Sequence, residues 1–218
     1  MRGLLALLLV GLCSGLWAQS YLPREAIDLR DFPAPPESET RDWEYIWKWQ
    51  LERTGEDCQR VQHEEDGLAT SFFGPPYGPL TKEEALRLVD FQERLFKQVN
   101  FFNRDLKRRF NRARPYQQNG QVLPCIDHSH PSLSYPSGHS AVAALSALAL
   151  GALYPELAEV LQKRAQEIAL GRVVGGVHFL SDIESGQRLG RMIFEVLIKN
   201  AEFLKDLEDL KSSKPLNL

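Results

Sequence analysis

SYPSGHSAVAALSALALGALY, residues 134–154, is the stretch that decides the fold of this chain. The run from Ala141 to Leu153 is almost uniformly apolar, and a helix that is apolar all round is normally buried in a core. The run is too short for a membrane-spanning helix, which needs about 20 residues. We therefore expect a central core helix from about Ser137 to Tyr154.

Helical periodicity continues on both sides of this stretch, and no segment alternates convincingly as a strand. Thr81 and Glu84 form a capping box that opens an apolar helix ending near Arg114, because the residue before a proline leaves helical geometry. Further helices are expected from Asp42, with a break at Gly55, and over residues 155–171, 178–200 and 202–211. The predicted fold class is all-α, a single-domain helical bundle with one sizeable core.

The N-terminus carries the pattern of a secretory signal peptide over residues 1–18. A positive start, an apolar run of about ten residues and small residues before a polar turn predict cleavage after Ala18. Two alternatives remain, a lipoprotein modified at Cys13, disfavoured by the bulky residue before it, and an uncleaved anchor. Residues 19–39 are rich in proline and acids and predict an extended N-terminal arm outside the core, followed by one domain over 40–218. We therefore expect a periplasmic or secreted protein.

Composition and charge limit the classes of partner. Charged residues make up 25% of the 218 residues, and the formal net charge of -3 gives no indication of a nucleic-acid polymer or an anionic membrane surface as partner. Beyond the N-terminus no apolar segment is long enough to span a membrane, so the mature chain is expected to lack an integral membrane segment. Whether it forms a homo-oligomer stays open.

Cysteine usage bears on both redox state and metal binding. Cys58 and Cys125 remain once the predicted signal peptide is removed, and an oxidising compartment favours their pairing as a disulfide. Two buried thiols are the alternative. No cluster of cysteine and histidine has metal-ligand spacing, so neither a metal nor another cofactor is expected.

Two basic or glycine-containing islands suit the binding of an anion. In KRRFNRARP (107–115) five cations crowd a helix end, and Lys107 and Arg114 share a face because they are two turns apart. In SYPSGHSA, Ser137 and Gly138 open a helix whose unpaired N–H groups suit phosphate, and His139 lies in its first turn. The alternatives are a solvated basic face for the first island and an N-cap with an incidental histidine for the second.

A third island, GRVVGGVHFLSD (171–182), combines a cation with a histidine and a carboxylate. Arg172 precedes a glycine pair that permits close backbone approach. His178 and Asp182 are four residues apart, so on a helix they face each other. A carboxylate bonded to one ring nitrogen fixes the tautomer and leaves the other nitrogen with its lone pair. The alternative is a structural histidine with a partner on the helix surface.

Taken together and in this order, Lys-x6-Arg-Pro, Pro-Ser-Gly-His and Arg-x5-His-x3-Asp resemble the signature of the type 2 phosphatidic-acid phosphatase (PAP2) and haloperoxidase superfamily. The chain more closely resembles the bacterial class A non-specific acid phosphatases, also in ERTGEDCQRVQHEED (52–66) and FFGPPYGPLTKEEA (72–85). The resemblance covers most of the mature chain. It implies an all-helical, metal-free phosphatase that acts on small phosphomonoesters such as nucleotides or sugar phosphates.

The resemblance also implies a role for each matching residue. His178 would be the nucleophile that forms a phosphohistidine, and Asp182 would orient it. His139 would protonate the leaving oxygen and then activate water. The phosphoryl oxygens would be held by Lys107, Arg114, Ser137, the Gly138 N–H and Arg172. Phosphoryl transfer needs mainly positioning and charge neutralisation, which three cations and a helix N-terminus provide without a divalent ion.

One position departs from the family pattern, in which serine usually precedes the arginine of the third island. Gly171 stands there in this chain, so a hydroxyl for a phosphoryl oxygen is missing, which puts rate and substrate preference in doubt. Two alternatives are therefore kept. One is a vanadate-dependent haloperoxidase with the same oxyanion cage, disfavoured by the short chain, and the other is a non-catalytic phosphate-binding protein.

Overall fold

The structure, a computed structural model, describes residues 20–126 and 132–213, and all regular structure in these ranges is helical. The α-helices are α1 (Thr40–Glu52), α2 (Gly55–His63), α3 (Ala69–Phe72), α4 (Lys82–Arg87), α5 (Val89–Phe110), α6 (Pro115–Gln118), α7 (Gly138–Leu153), α8 (Ala158–Val174), α9 (Leu180–Leu197) and α10 (Ala201–Ser212). Short 3-10 turns occur at Arg24–Ala26 and Pro155–Leu157. The predicted all-α class is confirmed, while the predicted signal peptide lies outside the described residues.

Helix α7 is the centre of the bundle, as its sequence predicts. Most of its residues are buried, and α5, α8 and α9 pack against it. Alanine and leucine on every face allow this, because no polar face has to reach water. In the ranges that the structure describes, no helix combines the length and apolar character that crossing a membrane requires.

Two glycines of α9 allow it to lie unusually close to α7. A Cβ atom at Gly186 would overlap the carbonyl oxygen of Ser137, and one at Gly190 would overlap that of Ala141. The N-terminal turns of the two helices are also joined, since the Ser137 N–H donates to the Asp182 carbonyl at 3.0 Å. Residues at the start of α7 and α9 are therefore held in one fixed relation.

The predicted helix ends are correct in some places and displaced in others. The break at Gly55 is confirmed, and Thr54 and Asp57 cap α2 reciprocally there. The capping box of Thr81 and Glu84 is also confirmed. The long helix expected after it divides into α4 and α5 and ends at Phe110, where Asn111 adopts a left-handed conformation that asparagine tolerates.

The N-terminal arm contributes to the core, contrary to expectation. Tyr21, Leu22, Ile27 and Phe32 are each at most 8% exposed and pack with the main hydrophobic cluster. The Tyr21 hydroxyl donates to Asp206 of α10 at 2.6 Å. The burial of these side chains could not be predicted from the sequence, because an arm without regular structure has no hydrophobic period to detect.

A disulfide joins Cys58 of α2 to Cys125, with 5.2 Å between their Cα atoms. The segment around Cys125 has two further attachments. Its N–H donates to the Gly175 carbonyl at 3.0 Å, and its carbonyl accepts from Gln62 Nε2 at 2.7 Å. The end of the segment that follows α6 is thereby fixed on α2 and on the C-terminal end of α8.

Candidate active site

The three sequence islands meet at one cavity of about 230 Å³. The predicted site residues that line it are Lys107, Arg114, Gly138, His139, Arg172 and His178. They come from the end of α5, the residue before α6, the start of α7, the end of α8 and the turn before α9. The three predicted cations and both histidines thus line the same cavity, as the resemblance implied.

His178 and Asp182 are in contact, but not across a helix face as their spacing suggested. His178 precedes α9, and Asp182 is the third residue of that helix. The Asp182 carboxylate accepts the Phe179 N–H at 2.8 Å and so caps the helix, which turns the chain before it back. As a result, Nδ1 of His178 lies 3.3 Å from Asp182 Oδ2.

The other ring nitrogen of His178 faces the cavity cations. Nε2 lies 3.2 Å from Nη1 of Arg114, and since a guanidinium only donates, Nε2 accepts with its lone pair. Burial, followed by the charges of Arg114 and Lys107, lowers the pKa of His178 well below its ordinary value. The ring is therefore neutral, with its proton on Nδ1 towards Asp182 and its lone pair at Nε2.

Asp182 is held by more partners than the sequence indicated. Arg112 Nη1 donates to Oδ1 at 2.6 Å, and the Ser134 hydroxyl donates to Oδ2 at 2.5 Å. Burial raises the pKa of Asp182, while the Arg112 charge and these hydrogen bonds oppose the rise. Arg112 thus holds the oxygen that faces away from His178, and Ser134 holds the oxygen that contacts it.

Arg112 is a site residue that sequence reasoning missed, because the basic island was assigned two anion ligands, Lys107 and Arg114, and no role for Arg112. It is only 6% exposed. Its Nη2 donates to Asp42 Oδ2 at 2.7 Å and to Glu39 Oε1 at 2.8 Å. No local signal points to this pairing, since the carboxylates lie about 70 residues away along the chain.

The second histidine, His139, has its tautomer fixed by backbone. Its Nε2 lies 2.8 Å from the Glu65 carbonyl oxygen, which only accepts, so Nε2 carries the proton. Burial, followed by the Arg172 charge, lowers the pKa of His139 to about 3. Nδ1 is therefore the nitrogen with which this ring can take up and give back a proton.

Each predicted cation is anchored by a polar group of its own. Arg114 donates to the carbonyl and the hydroxyl of Ser132, both at 2.7 Å. Arg172 Nη2 donates to Glu65 Oε2 at 2.8 Å. Lys107 Nζ donates to the carbonyls of Leu133 and Ser134. Burial, followed by the Arg114 charge, lowers the pKa of Lys107 to about 7.

The start of α7 places its two predicted phosphate ligands differently. Gly138 lines the cavity. Ser137 is buried and is not among the lining residues, because its hydroxyl caps α7 by accepting from the N–H and hydroxyl of Ser140. The sequence left capping and phosphate contact as alternative uses of this hydroxyl, and in the structure it caps α7.

Gly171, the departure from the family pattern, does not line the cavity. A Cβ atom there would lie 3.1 Å from Glu64 Oε2 and 3.5 Å from Val61 Cγ2. The position therefore faces α2 and the residue after it. The missing hydroxyl would meet Glu64, and the sequence-based concern about a lost phosphoryl contact finds no support in this geometry.

The cavity also has lining residues that the sequence did not single out. They are Glu65, Phe96, Asn100, Asn103, Tyr116, Ile126, Ser132 and Val177. Glu65 lies in the HEED run, which the resemblance included without assigning it a role. Within the described ranges, no group of three or more His, Cys, Asp or Glu side chains is arranged to hold a metal ion.

Comparison with known proteins agrees with the motif order. Residues 98–204 match the model of the PAP2 superfamily. The chain is 29% identical over 201 residues to a non-specific acid phosphatase of Providencia stuartii, an alignment that covers 86% of this chain and 81% of that protein.

Two solved structures share the fold. One is the first transmembrane PAP2 type phosphatidylglycerolphosphate phosphatase from Bacillus subtilis, with a TM-score of 0.51, 20% identity and coverage of 82% of this chain and 89% of that one. The other is the first bacterial vanadium-dependent iodoperoxidase, with a TM-score of 0.53, 17% identity and coverage of 77% and 52%. Residues 98–204 therefore form a PAP2 superfamily domain, and the chain is a relative of the bacterial non-specific acid phosphatases.

Proposed function

We propose that this PAP2 acid phosphatase is exported, needs no metal and hydrolyses small phosphomonoesters through a phosphohistidine on His178. One observation carries the proposal. The ring of His178 is fixed by Asp182 at Nδ1, and its Nε2 is directed at Arg114 in a cavity that also contains His139. Export is supported by the signal-peptide pattern and by the disulfide, which suits an oxidising compartment.

Substrate binding would rest on charge neutralisation. Lys107, Arg114 and Arg172 line the cavity together with Gly138, the first residue of α7. The N–H groups of a first helical turn have no partner within the helix, and they suit phosphoryl oxygens. Cations fixed before the substrate arrives stabilise the charge of the transition state without reorganisation.

In the first chemical step, the Nε2 lone pair of His178 forms a bond to phosphorus. The bond between phosphorus and the ester oxygen breaks, and its electron pair leaves with that oxygen. His139 donates the proton that the oxygen takes up. Asp182 stabilises the positive charge that develops on the His178 ring, in addition to orienting it.

In the second step, His139 accepts a proton from water as the water oxygen bonds to phosphorus. The phosphorus–nitrogen bond breaks, its electron pair returns to Nε2, and inorganic phosphate is released. His139 has a pKa of about 3 in the empty site. The negative charge of a bound phosphoryl group offsets the neighbouring cations and raises that pKa, so the proton needed for the leaving group is held only when substrate is present.

Hydrolysis of p-nitrophenyl phosphate at pH 5–6, with and without EDTA, tests the proposal. EDTA-resistant turnover is the expected result. Activity that appears only with vanadate, halide and peroxide would instead establish a haloperoxidase. Phosphate binding without any turnover would establish a non-catalytic binding protein, and either outcome would overturn the proposal.

A further inference from the structure

The anion cavity contains a carboxylate that the mechanism does not use. Among the described residues that line the cavity, Glu65 is the only acidic one. It lies two residues after the end of α2, and its side chain is 46% exposed. A carboxylate is an unexpected group in a cavity that should attract phosphate, since like charges repel each other.

Glu65 shares Arg172 with the expected ligand. Its Oε2 lies 2.8 Å from Arg172 Nη2, while the Arg172 side chain is only 2% exposed. Nε and Nη1 of Arg172 are also buried, and they have no hydrogen-bond partner among the described residues. Arg172 thus retains donors for a phosphoryl oxygen while Glu65 occupies Nη2, so the carboxylate and the phosphoryl group would be neighbours on one guanidinium.

We propose that Glu65 is a specificity-determining residue whose negative charge weakens the binding of phosphate anions in proportion to their own charge. Dianions are then disfavoured relative to monoanions, and the inorganic phosphate product leaves more readily. This inference rests on the proposed function, because it assumes that phosphate anions bind in this cavity.

The charges around Glu65 set the size of the effect. Arg172 of α8 contacts it directly, and His139 of α7 contacts its backbone carbonyl. Lys107, Arg114 and His178 line the same cavity, with both histidines held neutral. One carboxylate therefore offsets about one of three cations, and its repulsion acts on the bound anion at short range.

Glu65→Gln removes this charge and leaves the geometry intact. The amide oxygen of glutamine can still accept from Arg172, and the bond to His139 uses the backbone carbonyl, which the substitution does not touch. Glu65→Asp does the opposite, because it keeps the charge and shortens the side chain that reaches Arg172. Glu56→Gln, at an exposed position of α2, serves as the matched control.

The test is calorimetric titration of the full-length mature protein with inorganic phosphate at pH 5 and pH 8, where phosphate is mainly a monoanion and mainly a dianion. We expect Glu65→Gln to bind about tenfold more tightly than wild type at pH 8, which corresponds to about 1.4 kcal/mol. At pH 5 we expect only about threefold, because repulsion scales with the charge of the anion. Lys107 changes its charge between these pH values in wild type and in Glu65→Gln alike, so its effect cancels when the two dissociation constants are compared at the same pH.

Glu65→Asp and Glu56→Gln should stay within about twofold of wild type. Unchanged or weaker phosphate binding by Glu65→Gln would overturn the inference. So would a ratio of wild-type to Glu65→Gln dissociation constants that is the same at pH 5 and pH 8. Loss of phosphate binding in Glu65→Asp alone would also overturn the inference, because it would show that Glu65 acts through its contact with Arg172 and not through its negative charge. If wild type neither binds phosphate nor hydrolyses p-nitrophenyl phosphate, both this inference and the proposed function fail, whereas a wild type that does both leaves the variants to decide Glu65 alone.

Discussion

The carboxylate of Asp182 lies 3.3 Å from Nδ1 of His178, and the same oxygen accepts the Phe179 N–H that caps α9. One oxygen thus both ends the turn before the helix and orients the ring. The orientation of His178 is therefore as stable as the start of α9, which is buried against α7.

His178→Ala should abolish turnover, because no other residue among those described around the cavity has a nitrogen lone pair held against Arg114. The measurement is the rate with p-nitrophenyl phosphate, and His63→Ala, at an exposed position of α2, should retain wild-type activity. In a His139→Ala background, a quench without acid should trap an acid-labile phosphoryl adduct on His178. An adduct on another residue, or turnover in His178→Ala, would contradict the assigned nucleophile.

His139→Ala should slow esters with poor leaving groups most. An alkoxide needs a proton as it departs, whereas p-nitrophenolate is stable without one, and general acid catalysis contributes roughly 10²–10⁴-fold. We expect kcat for an alkyl phosphate to fall by at least about tenfold more than kcat for p-nitrophenyl phosphate. Equal losses for the two esters would show that His139 does not protonate the leaving oxygen.

Lys107 should make anion binding weaken above neutral pH. Burial and the Arg114 charge lower its pKa to about 7, so the empty site loses this cation as the pH rises through 7. A bound anion favours the charged form, and affinity should therefore fall by up to about tenfold per pH unit above 7. Sulfate, which stays a dianion from pH 6 to 9, gives the measurement as a competitive inhibition constant.

The comparison for that pH profile is Lys107→Gln, which should bind sulfate more weakly and with a flatter profile. Lys97→Gln, at an exposed position on the same helix, should follow wild type. A Lys107→Gln protein with the steep wild-type profile would assign the titration to another group.

Gly171→Ser should stabilise the protein relative to Gly171→Ala and leave kcat within about twofold of wild type. Both substitutions place a Cβ 3.1 Å from Glu64 Oε2, but only serine offers a donor to that buried oxygen, which has no hydrogen-bond partner among the described residues. A net hydrogen bond to a charged group contributes about 1.5–3 kcal/mol. Urea denaturation of the two variants measures the difference, and a serine variant no more stable than the alanine one would refute it.

Reduction of the Cys58–Cys125 disulfide should lower the free energy of unfolding by about 2–4 kcal/mol, since the bond closes a long loop with a sequence separation of 67. The Cys58→Ser, Cys125→Ser double variant should match the reduced wild type in a denaturant titration. Two thiols that react in the unfolded, unreduced exported protein would show that the bridge does not form.

The elements that the sequence predicted well depend on neighbours along the chain. The apolar run of α7, the capping box at Thr81 and the break at Gly55 are all visible within a few residues. The spacing of His178 and Asp182 predicted the right contact by the wrong route, because a helical turn and a helix N-cap both bring residues four apart together.

The features that the sequence did not predict depend on distant partners. In the sequence Arg112 is one of five crowded cations without an assigned partner, and only the fold brings Asp42, 70 residues away, to neutralise it in the interior. Glu65 and Arg172 are 107 residues apart, and no local pattern distinguishes their contact from any other pair of charges.

The glycines at positions 186 and 190 have a consequence for tolerance to change. Because the carbonyls of Ser137 and Ala141 occupy the space that a side chain would need, even one added methyl group would act as a wedge between α7 and α9. His139 lies in the first turn of α7, and Asp182 lies in the first turn of α9. The close packing of α7 against α9 therefore sets the position of His139 relative to Asp182. A substitution at position 186 or 190 would misalign the two side chains although it lies more than one helical turn from Asp182. A displacement of about 1 Å is enough to cost roughly 10²-fold in rate.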